Sequence, residues 1–143
     1  MGKVLTLAEN IYNNIKLLEK NIENYSIERV VEEEFLFNAV LHILQISIQS
    51  LIDLASHVIA ESGLGAVSTY AEIPIVLEKH GIISKDESNI FRKIIGFRNV
   101  IVHLYLEVSK KLVKSLLKEK KYLDILKISQ EIVEWALRNK VDP

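Results

Sequence analysis

Apolar side chains recur along most of this chain at steps of three and four, the spacing that lines one face of a helix turning about 100° per residue. Leu5, Ala8, Ile11, Tyr12, Ile15, Leu18 and Ile22 follow it and predict a first helix over about residues 4–24. A much longer second helix is predicted from about 27 to 62, stopping at Gly63 and Gly65, with a loop over 64–71. A short helix over about 72–80 stops at Gly81, and Ser84 with Glu87 makes a capping box for a helix over 86–106. Ser109 caps a short helix to about 117, and a last one over about 120–139 carries Tyr122, Ile125, Leu126, Ile132, Val133 and Ala136. Only two prolines and five glycines interrupt the chain, and no alternating Val/Thr-rich run is long enough for a sheet. The pattern predicts an all-α, up-and-down helical bundle with additional short helices, one domain over residues 1–143.

Phe35 to Ile52 contains no formally charged residue if histidine is neutral, a length at which a membrane span must be considered. The polar residues argue against one. His42, Gln49, Asp53 and His57 fall within about 40° of one another on a helical wheel, with Gln45, Ser50 and Ser56 close by. Leu41, Leu44, Ile48, Leu51, Ile52, Ala55, Val58 and Ile59 take the other side. A helix with a broad buried face and a narrow polar seam is expected.

The helix over 86–106 contains Phe97-Arg98-Asn99-Val100-Ile101-Val102-His103-Leu104-Tyr105, where arginine, histidine and tyrosine stand in an otherwise mostly apolar run. Ile90, Phe91, Ile94, Ile95, Ile101, Val102 and Tyr105 lie within roughly 80° of Arg98 on the wheel. Arg98 therefore sits mid-face, and burial obliges it to find a carboxylate, a phosphate or a route to water. Asp53, across the bundle, is a candidate ion-pair partner. His103 lies about 140° further round, one turn beyond Asn99 on the same stripe and close to the helix end, where a histidine can also cap the last carbonyls. Phe97, Val100 and Leu104 fall outside the core arc, an apolar surplus that predicts an interface, most simply a two-fold homodimer.

With no cysteine there is no disulfide framework and no thiolate site. The N-terminus enters helical periodicity without a signal-peptide pattern, so a cytoplasmic protein with no membrane partner is expected. A net charge of −1 argues against broad attraction to nucleic acid but leaves room for a local basic patch. Lys110, Lys111, Lys114, Lys118, Lys120 and Lys121 follow the motif, interrupted by Glu119. They read either as a solvated amphipathic face or as sequence-independent phosphate contacts, for which Lys110, Lys111 and Lys114 stand nearest the motif. Asp53 and His57, spaced i,i+4, have no evident third ligand, so a supporting role beside the site is expected and no metal or cofactor. Glu32-Glu33-Glu34 reads as a solvated face, His80 as a helix C-terminal residue, and Trp135 as core or interface.

Arg98-Asn99-Val100-Ile101-Val102-His103-Leu104-Tyr105 resembles the R-x4-H-x-Y motif of the HepT-like branch of the HEPN superfamily. Thr69-Tyr70-Ala71-Glu72, Lys79-His80-Gly81-Ile82-Ile83 and Phe91 to Phe97 resemble the segment leading into that motif, and the likeness covers roughly residues 5–137. Leu104 stands where the family often has a small or acidic residue. The resemblance implies a dimer whose cleft forms where two motif helices meet. It further implies a toxin partnered by an MNT-type nucleotidyltransferase antitoxin, which transfers AMP to the motif tyrosine, here Tyr105. The bland reading of Tyr105 is a core residue.

Arg98 plus His103 fits metal-independent endoribonuclease chemistry that uses the RNA's own 2′-hydroxyl. His103 would serve as general base or acid, since an imidazole titrates near neutral pH, and Arg98 would hold the phosphate. The competing expectation is a catalytically silent dimeric module that docks a nucleotidyltransferase or binds a nucleotide.

Overall fold

The computed structural model describes residues 2–141. Among them run seven α-helices: α1 (Lys3–Asn24), α2 (Ile27–Glu32), α3 (Glu34–Glu61), α4 (Glu72–Lys79), α5 (Lys85–His103), α6 (Lys110–Lys118) and α7 (Leu123–Arg138), with a 3₁₀ turn over Tyr105–Glu107. No strand occurs among the described residues. The all-α expectation holds.

α3 is the axis of the fold, and α1, α4, α5 and α7 all pack against it. The eight residues assigned to its apolar side, Leu41, Leu44, Ile48, Leu51, Ile52, Ala55, Val58 and Ile59, are all buried. Burying each of the larger ones stabilises the fold by about 1.5–3 kcal/mol. By length and composition alone α3 could cross a bilayer; its apolar side faces other helices, and its opposite side bears exposed His42 and Asp53 with half-buried Gln45, Gln49 and His57. α1 contributes Val4, Ile11, Ile15 and Leu18 to the core, whereas Tyr12, placed on the same apolar stripe by its spacing, is 48% exposed. From α7 and the residue before it, Tyr122, Ile125, Ile132 and Ala136 close the core.

The single helix expected over 27–62 is two. Glu33 has extended backbone (φ −81°, ψ 118°) and separates α2 from α3. No proline or glycine marks the break. α2 starts at Ser26, whose hydroxyl accepts from the Arg29 N–H (3.2 Å), and it turns aside to pack on α6. The gain is burial of Val30 and Val31, together with ion pairs from Lys110 to Glu32 (3.9 Å) and from Lys114 to Glu28 (3.5 Å). Glu32 and Glu33 are thus engaged as well as exposed, Glu33 with Arg29 at 3.3 Å.

Candidate active site

The helix that carries the motif is fixed firmly at its start. The Ser84 hydroxyl accepts from the Glu87 N–H (3.1 Å) while the Glu87 carboxylate accepts from the Ser84 N–H (2.9 Å), the reciprocal pair that satisfies two exposed donors. One turn on, the buried Ser88 hydroxyl donates to the Pro74 carbonyl of α4 (3.2 Å). Phe91, Ile95 and Ile101 then bury one face of α5. The far end differs from expectation. α5 stops at His103 instead of running to 106: Leu104 leaves helical geometry (φ −131°, ψ 42°) and its N–H closes the last turn onto the Val100 carbonyl (2.8 Å). Periodicity overran this end because the apolar run continues through Leu106, which is 96% exposed.

Arg98 is half-buried between three elements. Its Nε donates to Gln49 Oε1 of α3 (3.3 Å), its Nη1 donates to Asn99 Oδ1 (3.1 Å), and the guanidinium lies over the Tyr70 ring, 5.0 Å from the centroid. Asp53 joins through Gln49, whose Nε2 donates to Asp53 Oδ1 (3.0 Å). The arginine reaches the expected carboxylate through this amide. Tyr70 is held there by its own loop, because the Glu72 carboxylate accepts from the backbone N–H groups of Ser68 (2.5 Å) and Thr69 (3.1 Å). Two amides and an aromatic face orient the guanidinium without neutralising it.

His103 is exposed at the C-terminal end of the helix, five residues and about 7.5 Å along the axis from Arg98. Asn99, between them in the sequence, turns its oxygen to Arg98. Tyr105 lies outside the helix, 39% exposed, and its hydroxyl donates to the Asn38 side chain of α3. It therefore belongs neither to α5 nor to the core. His57 is half-buried one turn from Asp53, and no cluster of three metal-capable side chains occurs among the described residues.

Three of the lysines after the motif meet acidic side chains of the same chain. Lys110 and Lys114 pair with acids of α2, and Lys121 with Glu119 (3.4 Å). Glu28 reflects this seam: first its backbone hydrogen bond and then the charge of Lys114 hold its carboxyl below the usual range. Lys111 is exposed on the same helix. On the other flank of α5, Phe97 and Val100 line an apolar groove of about 520 Å³ with Ile94, Leu112, Leu116 and Ile125, and Leu104 is 49% exposed. Gln49, Tyr70 and Asn38 are the site neighbours that sequence reasoning did not single out. Gln49 was visible only as a member of the polar seam, and Tyr70 only within the segment preceding the motif.

Residues 11–134 match the family model described as ribonuclease HepT-like. A protein of Methanocaldococcus jannaschii, provisionally named an RNase, is 32% identical over 62 residues, which span 43% of this chain and 70% of that protein. Among solved structures, the fold is similar to a tri-AMPylated HEPN toxin of Shewanella oneidensis in complex with its MNT antitoxin. There the TM-score is 0.81 at 22% identity, covering 91% of this chain and 96% of the toxin. A MntA–HpeT toxin–antitoxin structure gives 0.81 at 20% identity, covering 91% and 97%. The cytosolic protein YutE of Bacillus subtilis, of unknown function, gives 0.72 at 16% identity, covering 94% and 93%. These likenesses establish the fold, and the match over residues 11–134 establishes the kinship: the chain belongs to the HepT-like ribonuclease family.

Proposed function

We propose that this protein is a metal-independent endoribonuclease toxin that cleaves RNA by attack of the substrate's 2′-hydroxyl, and that Arg98 and His103 carry the reaction. The observation that supports this most is the pairing, on one helix, of a cation oriented by neutral groups with an exposed imidazole. An ion pair would have spent the charge of Arg98 inside the fold. Here it is left for a phosphate, whose developing negative charge in the transition state a guanidinium matches with two parallel donors. In the reaction a histidine takes the 2′-hydroxyl proton, the 2′ oxygen bonds to phosphorus, and the 5′ oxygen leaves with a proton from a general acid. The products are a 2′,3′-cyclic phosphate and a 5′-hydroxyl end.

Two such histidines are supplied if the chain is a homodimer, and the groove lined by Phe97 and Val100, with half-exposed Leu104, is the apolar surface that would be covered. Asn99, Asp53 and His57 then support the site. By kinship and fold the partner is an MNT-type nucleotidyltransferase antitoxin, and Tyr105, exposed two residues beyond His103, is the hydroxyl it would modify with AMP.

The test is cleavage of RNA by the purified chain in EDTA. His103→Ala should lower the rate by about 10²–10⁴-fold, the usual worth of a general acid or base, with little change in Tm because the side chain is exposed. Cleavage that persists in His103→Ala removes the residue from the mechanism. Dependence on added divalent metal removes the mechanism itself. An intact chain that binds RNA or nucleotide and cleaves nothing is instead a docking module.

A further inference from the structure

The outward face of α5 holds a second feature. Counting from Asn89, residues Arg92, Gly96, Asn99 and His103 follow at steps of three and four, so they stand on one stripe about 21 Å long. All are exposed. The first four line an open groove of about 580 Å³, together with Lys93 and Ala71. Among the described residues neither Arg92 nor Lys93 has an acidic partner, whereas Lys110, Lys114 and Lys121 are paired with Glu32, Glu28 and Glu119. Asn99 gives its oxygen to Arg98 and so keeps its amide N–H groups for a ligand.

Gly96 adds an independent sign. Glycine is disfavoured in a helix interior, and a Cβ added at Gly96 would meet nothing within 4 Å, so packing within the chain does not call for it. What a missing side chain does offer is bare helix surface, against which a ligand's backbone can lie closely.

We infer that this stripe is a binding track for the phosphodiester backbone of single-stranded RNA, leading the strand along α5 to His103. Arg92 and Lys93 contact phosphates, and Asn89 and Asn99 donate to phosphate or ribose oxygens. Contacts of this kind position a strand without reading its sequence. The inference rests on the ribonuclease reading above and moves the phosphate contacts from the lysines of α6 to the cations of α5.

The experiment measures binding of a short single-stranded 2′-O-methyl RNA, which lacks the attacking hydroxyl, by fluorescence anisotropy across a range of salt concentrations. Arg92→Gln/Lys93→Gln should weaken binding about tenfold or more and make the plot of log affinity against log salt shallower by about 0.7 for each charge removed. Lys20→Gln/Lys127→Gln, a charge-matched change on exposed positions of α1 and α7, should move neither quantity beyond the small effect of net charge. Equal melting temperatures confirm that both variants fold. If the loss follows Lys110→Gln/Lys114→Gln and spares the α5 variant, the track is on α6 and the inference is wrong. Normal RNA binding by the α5 variant, with lost binding of the partner nucleotidyltransferase, would give this face to that protein and likewise overturn it. Wild-type protein that cleaves RNA while the α5 variant binds normally sinks this inference alone. Wild-type protein that neither binds nor cleaves RNA sinks the ribonuclease reading with it.

Discussion

Over its first two turns α5 has its exposed donors closed by Ser84 and Glu87, a buried hydroxyl tying it to α4, and Phe91 sealed in the core. Four turns later the same helix runs out at an exposed histidine, followed by Leu104, half in solvent, and a single 3₁₀ turn whose Leu106 touches almost nothing. The first two turns have the N–H groups of Ser84 and Glu87 answered, the Ser88 hydroxyl bonded and Phe91 covered. The C-terminal half leaves a cation without a counter-charge and apolar side chains without a cover. One end therefore carries stability, and the other is free to carry chemistry, so substitutions along one helix should separate into two classes of effect.

The largest effect tests the closed end. Phe91→Ala removes a fully buried ring and should cost about 3–5 kcal/mol in denaturant unfolding; a cost under 1 kcal/mol would mean that the core does not close on α5 there. Next, Ser84→Ala deletes one half of the capping box and should cost about 1 kcal/mol. Amide exchange should then quicken in the first turn of α5 and leave the C-terminal turn as it was. The smallest effect tests the open end: Leu106→Ser should change unfolding free energy by less than about 0.5 kcal/mol, as surface substitutions do. Should Leu106→Ser prove as costly as Ser84→Ala, the contrast between the ends fails.

What the sequence disclosed follows the same division. Long-period apolar patterning identified the core side of α3 residue by residue, and the local Ser84–Glu87 spacing foretold the start of α5, because both signals are carried by near neighbours in the chain. The break at Glu33 was hidden, since no proline or glycine produces it; the benefit comes from α6, some eighty residues away. For the same reason Lys110 and Lys114 looked available until the fold brought Glu32 and Glu28 to them. At the site, the sequence marked Arg98 as a buried cation in need of partners and named Asp53. It could not show that Gln49 intervenes, or that a loop closed by Glu72 would lay Tyr70 on the guanidinium. Tyr105 was misplaced because helical periodicity carries no mark of where an apolar run stops being helix.

The hydrogen bond from Tyr105 to Asn38 makes the chemical state of one oxygen a matter of tertiary structure. Any group esterified to that oxygen takes away its only proton, leaving an acceptor facing the acceptor Oδ1 of Asn38. The amide cannot simply turn over to answer with its nitrogen, because Nδ2 already donates to the Glu34 carbonyl (2.9 Å), and the exchange would give up that bond in the first turn of α3. A derivatised Tyr105 must therefore let go of α3, and the 3₁₀ turn that follows His103 would lose this long-range tether within the chain. Covalent marking at this position would thus act as a latch release as well as an added charge.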